Sequence, residues 1–590
     1  MRELRNTIVC SFAISLFLIL ILGHCTVSTI CQSIEPKNTS TISDYDNPIK
    51  ITSNSDFAFE ASLRGWDGDG SEVDPYIIED YQISSGRAIE ISSTTVYFII
   101  RDCELGSPSG YRALYLYNVR NGDIQSVTLD GHDAIYVEYC EDIHIHDNDC
   151  YGDAIITESS SINLTSNFIG LRLEYWNSES CAIVSNELSL FWLMYSDNFI
   201  IEDNDISYDF FIYGGHHSVE GNTLEKEALG YFQDLVSETI DVTKYGIIIL
   251  QSCQDIVIEK GYFEGTSICV EIYESTDCRI ENNEFIDCSE PIKIWSSSDC
   301  EVANNIVRDA DIGVYFEEST GCKIDENKLI YCGKGIQIEE SYDGYIVDNY
   351  IVSSLKGIKS DTCQEFDIVG NYICGSSHTS IDLFNSTGFL IFDNQFGWNG
   401  PPNAIDEEGV NSWDNGEGVG NSWSSYDGEG IFTIYGSSGS VDHFPAELVD
   451  NELPIMVSLN HTPASPFPRE IITVIANATD NHGISKILIE ISEDNNETWT
   501  QYEMIREGNQ WVYSAKALGP SFNYRIIVKD WAYNQIESEI VCIVLYRTST
   551  STTSTSQNTT TNTQNHELQM TLGLTLIILI VVGVVIKFRK

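Results

Sequence analysis

Basic residues are scarce in this sequence. Of its 590 residues, 31 are lysine or arginine and 89 are aspartate or glutamate, so the formal net charge is −58. A surface of that sign repels phosphate backbones, which argues against nucleic acid as a partner. Cations, calcium above all, are compatible with it, and the acidity also favours solubility. Hydrophobic residues make up 42% of the chain, enough to form a sizeable core.

Long apolar runs occur only near the two ends. The first follows Arg2 and Arg5, which is the pattern of a secretion signal. Residues 1–33 are therefore predicted to be a signal peptide or an N-terminal hydrophobic segment. The second run predicts a transmembrane helix over residues 567–586.

The residues that flank the second run indicate how the chain is oriented. A basic tail at residues 587–590 is expected to stay in the cytoplasm, which leaves the bulk of the chain outside the cell. Residues 547–566 are nearly all serine, threonine, asparagine and glutamine, a composition typical of a flexible stalk. The sequence thus predicts a single-pass cell-surface protein.

An asparagine recurs after each short apolar strand. The asparagines are 22 residues apart at Asn283, Asn305, Asn327, Asn349 and Asn371. In the upstream part of the chain the interval between them is shorter, at 18 to 19 residues. Asparagine suits a bend, because it tolerates the left-handed backbone region and hydrogen-bonds to nearby backbone. We interpret these residues as a structural ladder rather than as catalytic groups.

Apolar residues repeat with the same period. Ile248, Val270, Ile292 and Val314 form one column, and another column lies two residues later, as expected for strands with one inward face. A repeat of this length is one coil of a solenoid, whose core forms only when coils stack. The predicted fold is all-β, with a right-handed parallel β-helix of about 14 coils over residues 77–397.

Both ends of a solenoid need a cap, because open ends expose strand edges. Residues 34–76 are predicted to be a linker and a capping helix, with Phe57, Phe59, Ala61 and Leu63 as its apolar cover. The Gly- and Trp-rich residues 398–450 are predicted to cap the other end. Residues 225–245 break the repeat and are predicted to form a helical or looped excursion.

Residues 451–546 have a different pattern, with short β-rich runs separated by turn signals. Such spacing predicts a small antiparallel β-sandwich. The segment Asp530-Trp531-Ala532-Tyr533-Asn534 resembles the closing turn of immunoglobulin-like or fibronectin type III-like modules. For this module a spacer role is favoured over a binding role.

The repeat region resembles the NosD-like family of parallel β-helix proteins, also grouped with carbohydrate-binding proteins and sugar hydrolases. The resemblance covers about residues 51–445. It rests on Gly65-Trp66-Asp67-Gly68-Asp69-Gly70, on coils such as Gly335-Ile336-Gln337-Ile338, and on the closing segment Asn421-Ser422-Trp423-Ser424-Ser425-Tyr426. Members of this family range from proteins that assist copper enzymes to polysaccharide-modifying enzymes, so the resemblance implies a fold rather than one activity.

One outward column of the 22-residue coils is a candidate glycan-binding face. Tyr273, Trp295 and Tyr315 are expected to stand side by side, with carboxylates beyond them at Glu317, Glu339 and Asp361. Flat rings stack on the C–H faces of sugars, and neighbouring carboxylates accept hydroxyl hydrogen bonds or hold calcium. The alternative is an ordinary decorated solvent face.

Support for a metal centre is weaker. His144 and His146 would place two imidazoles on one outward strand face beside Asp147. Copper is disfavoured, because copper(I) prefers thiolate and thioether ligands and only Met194 of the five methionines lies in the β-helix. No catalytic residues are assigned, although Arg172 near Glu174 is a weak candidate for a lyase.

The sequence is compatible with three functions. The first choice is a non-catalytic surface module that binds a surface polysaccharide or glycoprotein. The second is a polysaccharide hydrolase or lyase, and the third is a copper-handling accessory protein. Turnover on a polysaccharide panel would favour the second, and copper(I) uptake that depends on His144 and His146 would favour the third.

Overall fold

A computed structural model describes residues 47–107, 112–508 and 510–545. They divide into two compact units, and the boundary in the sequence lies between Asp450 and Asn451. Each unit is described by itself. The predicted signal segment, stalk, transmembrane helix and basic tail lie outside the described residues. Within the described part of the chain, no helix has the length and apolar character needed to cross a membrane.

The first unit is a parallel β-solenoid of about 17 turns, which is more than the 14 predicted. The difference arises because regular coils begin upstream of the predicted start, at Ile49, and continue downstream into the predicted cap. Consecutive coils pair in parallel register, so each inward side chain stacks on the equivalent residue of the next coil. The solenoid has two parts, which we call the N-terminal arm (residues 47–224) and the C-terminal arm (residues 225–450).

Each coil of the N-terminal arm contributes strands to three faces. The first face contains Tyr76–Glu79, Phe98–Arg101, the end of Leu114–Gln125, Glu141–His146, Ser160–Thr165, Ala182–Val184, Phe199–Glu202 and His217–Glu220. The second contains Gln82–Ile83, Glu104–Gly106, Thr128–Asp130, Asp149–Cys150, the starts of Phe168–Trp176, Glu187–Met194 and Asp205–Tyr213, and Thr223–Leu224. The third contains Ile49–Ile51, Ile89–Thr94, the start of Leu114–Gln125, Ile135–Glu138, Ala154–Thr157 and the ends of the three long strands.

The C-terminal arm also has three faces. Its front face contains Glu227–Gln233, Ile247–Gln251, Val270–Tyr273, Ile292–Trp295, Ile312–Glu317, Lys334–Glu339, Lys356–Asp361, Thr379–Phe384 and Ala404–Glu407. The next contains Thr239–Ile240, Val257–Glu259, Arg279–Glu281, Glu301–Ala303, Lys323–Asp325, Tyr345–Val347, Asp367–Val369 and Leu390–Phe392. The last contains Tyr262–Glu264, Glu284–Ile286, Ile306–Arg308, Lys328–Ile330, Tyr350–Val352, Tyr372–Cys374, Gln395–Gly397, Ser422–Trp423 and Ala446–Glu447.

A helix from Asn54 to Arg64 lies at the start of the solenoid, where the capping helix is predicted. Ser53 caps its N-terminus by accepting a hydrogen bond from the Asp56 backbone, and Gly65 ends it in the left-handed conformation. Phe57 and Ala61 are buried against the first coils. Phe59 and Leu63, predicted to share in this cover, are instead 62% and 67% exposed, because a helix turns successive odd positions away from a single face.

The asparagine ladder is buried in both arms. In the C-terminal arm, the side-chain amide of Asn283 donates to Asn305, Asn305 to Asn327 and Asn327 to Asn349, at 3.0–3.1 Å. These residues do not themselves adopt the left-handed conformation. The residue before each one does, as at Asn282 and Glu326. Asparagine is therefore needed at the ladder positions for the hydrogen bonds of its side chain, and not because it tolerates a left-handed backbone.

A tight hairpin joins the two arms. Glu225 and Lys226 both have positive φ, and Leu224 pairs in antiparallel register with Glu227. The predicted excursion at 225–245 is therefore a reversal of strand direction, after which coils resume with Glu227–Gln233 pairing in parallel with the next front-face strand. The 3-10 helix Val242–Lys244 is the only helical turn in this described segment.

The last coils close over buried tryptophans. Trp413 and Trp423 are 1% and 0% exposed, and their indole N–H groups donate to Asp406 and Asp442 at 3.0 Å. A short antiparallel pair, Phe432–Thr433 with Val441–Asp442, covers this end. The region predicted as a separate cap thus includes further coils of the solenoid.

The second unit contains two antiparallel sheets around one core. One sheet contains Ile455–Thr462, Ile471–Thr479, Ile505–Glu507 and Gln510–Lys516, and the other contains Ile484–Ser492, Thr500–Glu503, Phe522–Asp530, Gln535–Glu537 and Val541–Ile543. Ile472 and Val474 of the first sheet share this core with Ile487 and Ile489 of the second. An antiparallel sandwich is what the spacing of the β-rich runs predicts.

Candidate functional site

The rings of the predicted glycan face are buried. Tyr273, Trp295 and Tyr315 are 2%, 8% and 9% exposed. Tyr273 and Trp295 do stand side by side on adjacent coils, with ring centroids 4.8 Å apart and planes within 8°. The prediction that they form an exposed platform is wrong, because the end of the N-terminal arm covers Tyr273 and Trp295, and Lys293 lies over the ring of Tyr315.

Tyr273 and Trp295 belong to the core of the N-terminal arm. Trp295 stacks on Phe211, with ring centroids 6.2 Å apart, and the Tyr273 hydroxyl donates to the carbonyl of Ile212 at 2.6 Å. Ile247 and Ile249, which point outward from the same front face, also join the core of the N-terminal arm. The outer face of the C-terminal arm therefore closes the end of the N-terminal arm, where its strand edges would otherwise be open.

Charged groups gather in the corner where the two arms meet. The Trp295 indole donates to Glu271, and the Trp192 indole donates to Asp209, both at 2.8 Å. Burial lowers the pKa of Lys293, but the carboxylates of Glu271, Glu317 and Glu290 outweigh burial and hold that pKa above its ordinary value. The corner thus holds an ammonium among several carboxylates.

Asp209 is the most perturbed carboxylate of the corner. Burial raises its pKa to about 6, and the charge of Glu271 acts in the same direction. Burial also raises the pKa of Glu317 and of Glu290. In many active sites, a carboxyl group with a raised pKa lies near an ionised carboxylate and acts as the general acid.

Two of the three carboxylates predicted to hold calcium, Glu339 and Asp361, lie beside a lysine. Lys359 Nζ lies 3.1 Å from a Glu339 oxygen and 4.0 Å from an Asp361 oxygen. The Tyr315 hydroxyl donates to the other Glu339 oxygen at 3.1 Å. Because Lys359 already supplies the positive charge, this row gives no support to a calcium site.

An exposed aromatic surface lies instead on the third face of the N-terminal arm. We call it the aromatic face, and it consists of Tyr115, Tyr117, Tyr136, Tyr139, Trp176, Trp192, Tyr195 and Tyr213. Tyr139 and Tyr195 are 51% and 55% exposed, and Tyr117 and Trp176 are each 38% exposed. The face runs along stacked coils and ends at the corner, where Phe211 meets Trp295.

The rings of the aromatic face contact one another across coils in two groups, which lie on either side of the coil that contributes Ala154–Thr157. Ring centroids are 5.7 Å apart for Tyr117 and Tyr139, 5.1 Å for Trp176 and Tyr195, and 5.3 Å for Tyr195 and Tyr213. Such pairs hold each other in place through edge-to-face and tilted contacts. The rings therefore form a preorganised surface rather than independent side chains.

Arginines and carboxylates lie between the rings. Arg112 lies over Tyr136 at 3.2 Å from its ring centroid, and Arg172 lies over Trp192 at 4.9 Å. Arg172 also pairs with Asp153 at 3.1 Å and with Glu174 at 3.2 Å. Cation–π contacts and ion pairs of this kind fix the direction of each group. Arg172, the weak candidate for a lyase, therefore lies on the aromatic face beside Glu174.

Sequence reasoning missed the aromatic face because its coils differ in length. One outward column pairs in register from coil to coil and consists of Tyr115, Tyr136, Ile155, Glu174, Trp192 and Phe211. Its spacing varies between 18 and 21 residues, so no fixed period aligns it. The asparagine ladder upstream, at 18 to 19 residues, was the signal that could have set the register.

The histidine candidates lie on the first face of the same arm. His144 and His146 stack with ring centroids 4.4 Å apart, and His146 contacts both Asp147 and Asp123. Asp147 is adjacent as predicted, but Asp123 of the preceding coil is the carboxylate that both rings approach. Sequence spacing could not identify Asp123, because it lies on another coil.

Comparisons with known proteins agree with this architecture. The family described as "Periplasmic copper-binding protein (NosD)" matches residues 232–428, so the resemblance drawn from the sequence is confirmed over that part of the chain. No curated protein matches the chain at a significant level.

Several solved structures also match this chain at low sequence identity. Tailspike protein 3 of Bacteriophage CBA120 is 12% identical with a TM-score of 0.24, and the match covers 65% of this chain and 63% of that one, less than two thirds of its length. A mutant tailspike protein of E. coli bacteriophage HK620 in complex with a pentasaccharide is 10% identical, with a TM-score of 0.23 and coverage of 80% and 87%. The A-module of Azotobacter vinelandii mannuronan C-5 epimerase AlgE4 is 12% identical, with a TM-score of 0.18 and coverage of 62% and 95%.

Proposed function

We propose that this chain is a non-catalytic cell-surface module that binds an extended glycan on its aromatic face. The observation that carries the proposal is the set of half-exposed rings on one face, which contact one another across stacked coils in two groups and have arginines and carboxylates beside them. Rings bury the C–H faces of sugars, and the charged groups accept and donate hydrogen bonds to hydroxyls. The partner is a surface polysaccharide or glycoprotein.

Rigidity supports binding by this face. Its side chains stand on or beside strands that are about 4.8 Å apart, so neighbouring coils present one fixed surface. A rigid surface loses little conformational entropy when a ligand binds. The length of the face along several coils also suits a chain-like ligand better than a single sugar.

A binding measurement on a panel of polysaccharides tests the proposal. The double variant Trp176→Ala/Tyr195→Ala should bind at least about tenfold more weakly than the unchanged chain, because hot-spot rings dominate such interfaces. The matched control is Tyr262→Ala/Tyr342→Ala, which removes two rings that are 59% and 43% exposed on the other arm. Unchanged binding by the folded Trp176 variant, or equal loss in the control, would reject the aromatic face as the site.

A polysaccharide hydrolase or lyase is the second candidate, and the corner of the two arms favours it. Asp209, with a pKa of about 6, has the protonation behaviour of a general acid near neutral pH, and Glu271 lies close enough to shift it. The assay measures new reducing ends and unsaturated products on the same panel. Asp209→Asn should abolish turnover and leave binding intact if the corner is catalytic, whereas turnover that survives this change would reject it.

We propose that the chain is exported and anchored by the predicted helix at residues 567–586. For residues 451–546 we propose an immunoglobulin-like or fibronectin type III-like spacer, which the two antiparallel sheets around one core support.

A further inference from the structure

Two histidines and an aspartate converge on the first face of the N-terminal arm. His144 and His146 are two residues apart on the strand Glu141–His146, so both rings leave the same side of it. Asp123, on the preceding coil, is in register with His144. Parallel stacking therefore brings the carboxylate of one coil beside the two imidazoles of the next.

The ligand atoms are within reach of one ion. His146 Nε2 lies 3.1 Å from Asp123 Oδ1, and His144 Nδ1 lies 3.9 Å from Asp123 Oδ2. The three residues offer ligand atoms that all lie within 4.8 Å of one another. Around a tetrahedral zinc ion with bonds of about 2.0–2.1 Å, neighbouring ligand atoms are about 3.3 Å apart. Small side-chain adjustments would therefore bring all three ligand atoms to bonding distance of one ion.

The other ring nitrogens are already occupied. His146 Nδ1 lies 2.8 Å from Asp147 Oδ2, and His144 Nε2 lies 3.0 Å from the hydroxyl of Thr165. These partners leave His146 Nε2 and His144 Nδ1 free to face Asp123. A carboxylate on the second ring nitrogen fixes the tautomer and strengthens the histidine as a ligand.

The support for these groups comes from the solenoid itself. Asp147 is held in the left-handed conformation, with φ of 55°, directly before the ladder residue Asn148. Asn148 donates its side-chain amide to the next ladder residue, Asn167, at 2.9 Å. The bend that orients Asp147 towards His146 is thus fixed by the buried ladder, which makes the site preorganised.

We propose that Asp123, His144 and His146 bind a divalent transition metal of the zinc class, with Asp147 and Thr165 as positioning residues. Asp147 was the carboxylate expected as a ligand from sequence, and the structure assigns that role to Asp123. Two imidazoles and one carboxylate suit borderline divalent ions, whereas calcium prefers oxygen ligands alone and copper(I) prefers sulfur. The ligand side chains are 44%, 19% and 36% exposed for His144, His146 and Asp123, so an ion can enter from solvent.

A second cluster on this arm is a poorer site. His132, Asp133 and Asp153 also lie close together. Both oxygens of Asp153, however, are used by Arg172, through its backbone N–H and its guanidinium, each at 3.1 Å. The Arg172 guanidinium bound to Asp153 repels a cation, so His132, Asp133 and Asp153 are a poorer metal site than Asp123, His144 and His146.

Zinc binding to the untagged full chain tests the proposal, with equilibrium dialysis and titration calorimetry as the measurements. We expect one tight site per chain. His146→Gln should weaken zinc binding at least about 100-fold, and Asp147→Asn should weaken it about 10- to 100-fold. His216→Gln is the control, since His216 is an exposed histidine paired with Asp234 at 2.8 Å, and it should bind like the unchanged chain.

Two readouts separate loss of the metal from loss of the fold. Circular dichroism should show the same fold for each variant in the presence of a chelator. Cobalt(II) should give the intense visible absorption of a tetrahedral site in the unchanged chain and in His216→Gln, but not in His146→Gln. Absence of stoichiometric zinc binding, or zinc binding that persists in folded His146→Gln, would overturn the proposal.

Discussion

The hydroxyl of Tyr273 donates to the carbonyl of Ile212, 2.6 Å away and 61 residues earlier in the chain. This hydrogen bond joins the outer face of the C-terminal arm to the last long strand of the N-terminal arm. Trp295, stacked on Tyr273 and on Phe211, extends the contact. The two arms are therefore fixed together by side chains that a single straight solenoid would expose to solvent.

Replacing Trp295 should destabilise the fold. Trp295→Ala removes a ring that is only 8% exposed and leaves the Glu271 carboxylate without its indole donor. Loss of a buried tryptophan typically costs about 3 to 5 kcal/mol. We expect a lower midpoint of thermal or urea unfolding, with the first loss at the N-terminal arm, whose core contains this ring.

Trp176→Ala is the matched control for this prediction. Trp176 is 38% exposed on the aromatic face, so its removal should change the unfolding midpoint little. Equal midpoints for Trp295→Ala and the unchanged chain would show that the arms are not joined through Trp295.

The sequence was sufficient to predict the solenoid, because its coils repeat. The columns through Ile248 and Val270 and the ladder through Asn283 follow from a fixed period, and a period needs only the order of residues. The contact of Tyr273 with Ile212 has no such signal. It depends on the reversal at Glu225 and Lys226, which places an outward column of one arm against the end of the other.

The candidate site was less predictable than the fold for a similar reason. His144 and His146 could be found because they are on one strand, and Asp123 could not, because it joins them only through the register of two coils of unequal length. Tyr117 and Tyr139 likewise meet across a coil boundary. Residues that act together in this protein are neighbours along the stack, where sequence distance varies from coil to coil.

Breaking the ladder in the middle should be costly. Asn327 accepts hydrogen bonds from the backbone N–H and side-chain amide of Asn305 and donates to the carbonyl of Val302. Asn327→Ala leaves these buried groups without partners, at about 1 to 3 kcal/mol for each uncompensated group. The urea midpoint should fall clearly, whereas Lys328→Ala, the adjacent exposed position, should leave it nearly unchanged. Similar urea midpoints for the two variants would contradict the claim that the hydrogen bonds of the asparagine ladder stabilise the fold.

Protease treatment of intact cells should release the solenoid. The positively charged tail at residues 587–590 favours an external position for the rest of the chain, and a polar stalk is accessible to proteases. We expect a soluble fragment that contains residues 47–450, detected by antibody and by mass spectrometry. A cytoplasmic marker protein must stay intact in the same cells. Full protection of the chain until the cells are lysed would contradict the orientation.

The pH dependence of stability should carry a contribution from Asp209. Its ordinary pKa of 3.8 is raised in the folded chain to about 6, chiefly by burial. Between these values the folded chain binds more protons than the unfolded chain, so the free energy of unfolding decreases as the pH rises. The full penalty is present above the folded pKa and disappears as the pH falls below 3.8.

Asp209→Asn should remove this contribution while keeping an oxygen that accepts from the Trp192 indole. The variant should be more stable than the unchanged chain by roughly 2 kcal/mol at neutral pH. This figure follows from a pKa shift of about two units at about 1.4 kcal/mol per unit, reduced because Asp209 is partly solvated. Near pH 4 the two should be nearly equal, because the Asp209 carboxyl is then neutral in the folded chain. Urea unfolding across this pH range is the measurement, and Asp205→Asn, an exposed change on the same strand, is the control. A stability difference between Asp209→Asn and the unchanged chain that does not vary with pH would mean that folding does not raise the pKa of Asp209. The case for Asp209 as a general acid in the corner would then be lost.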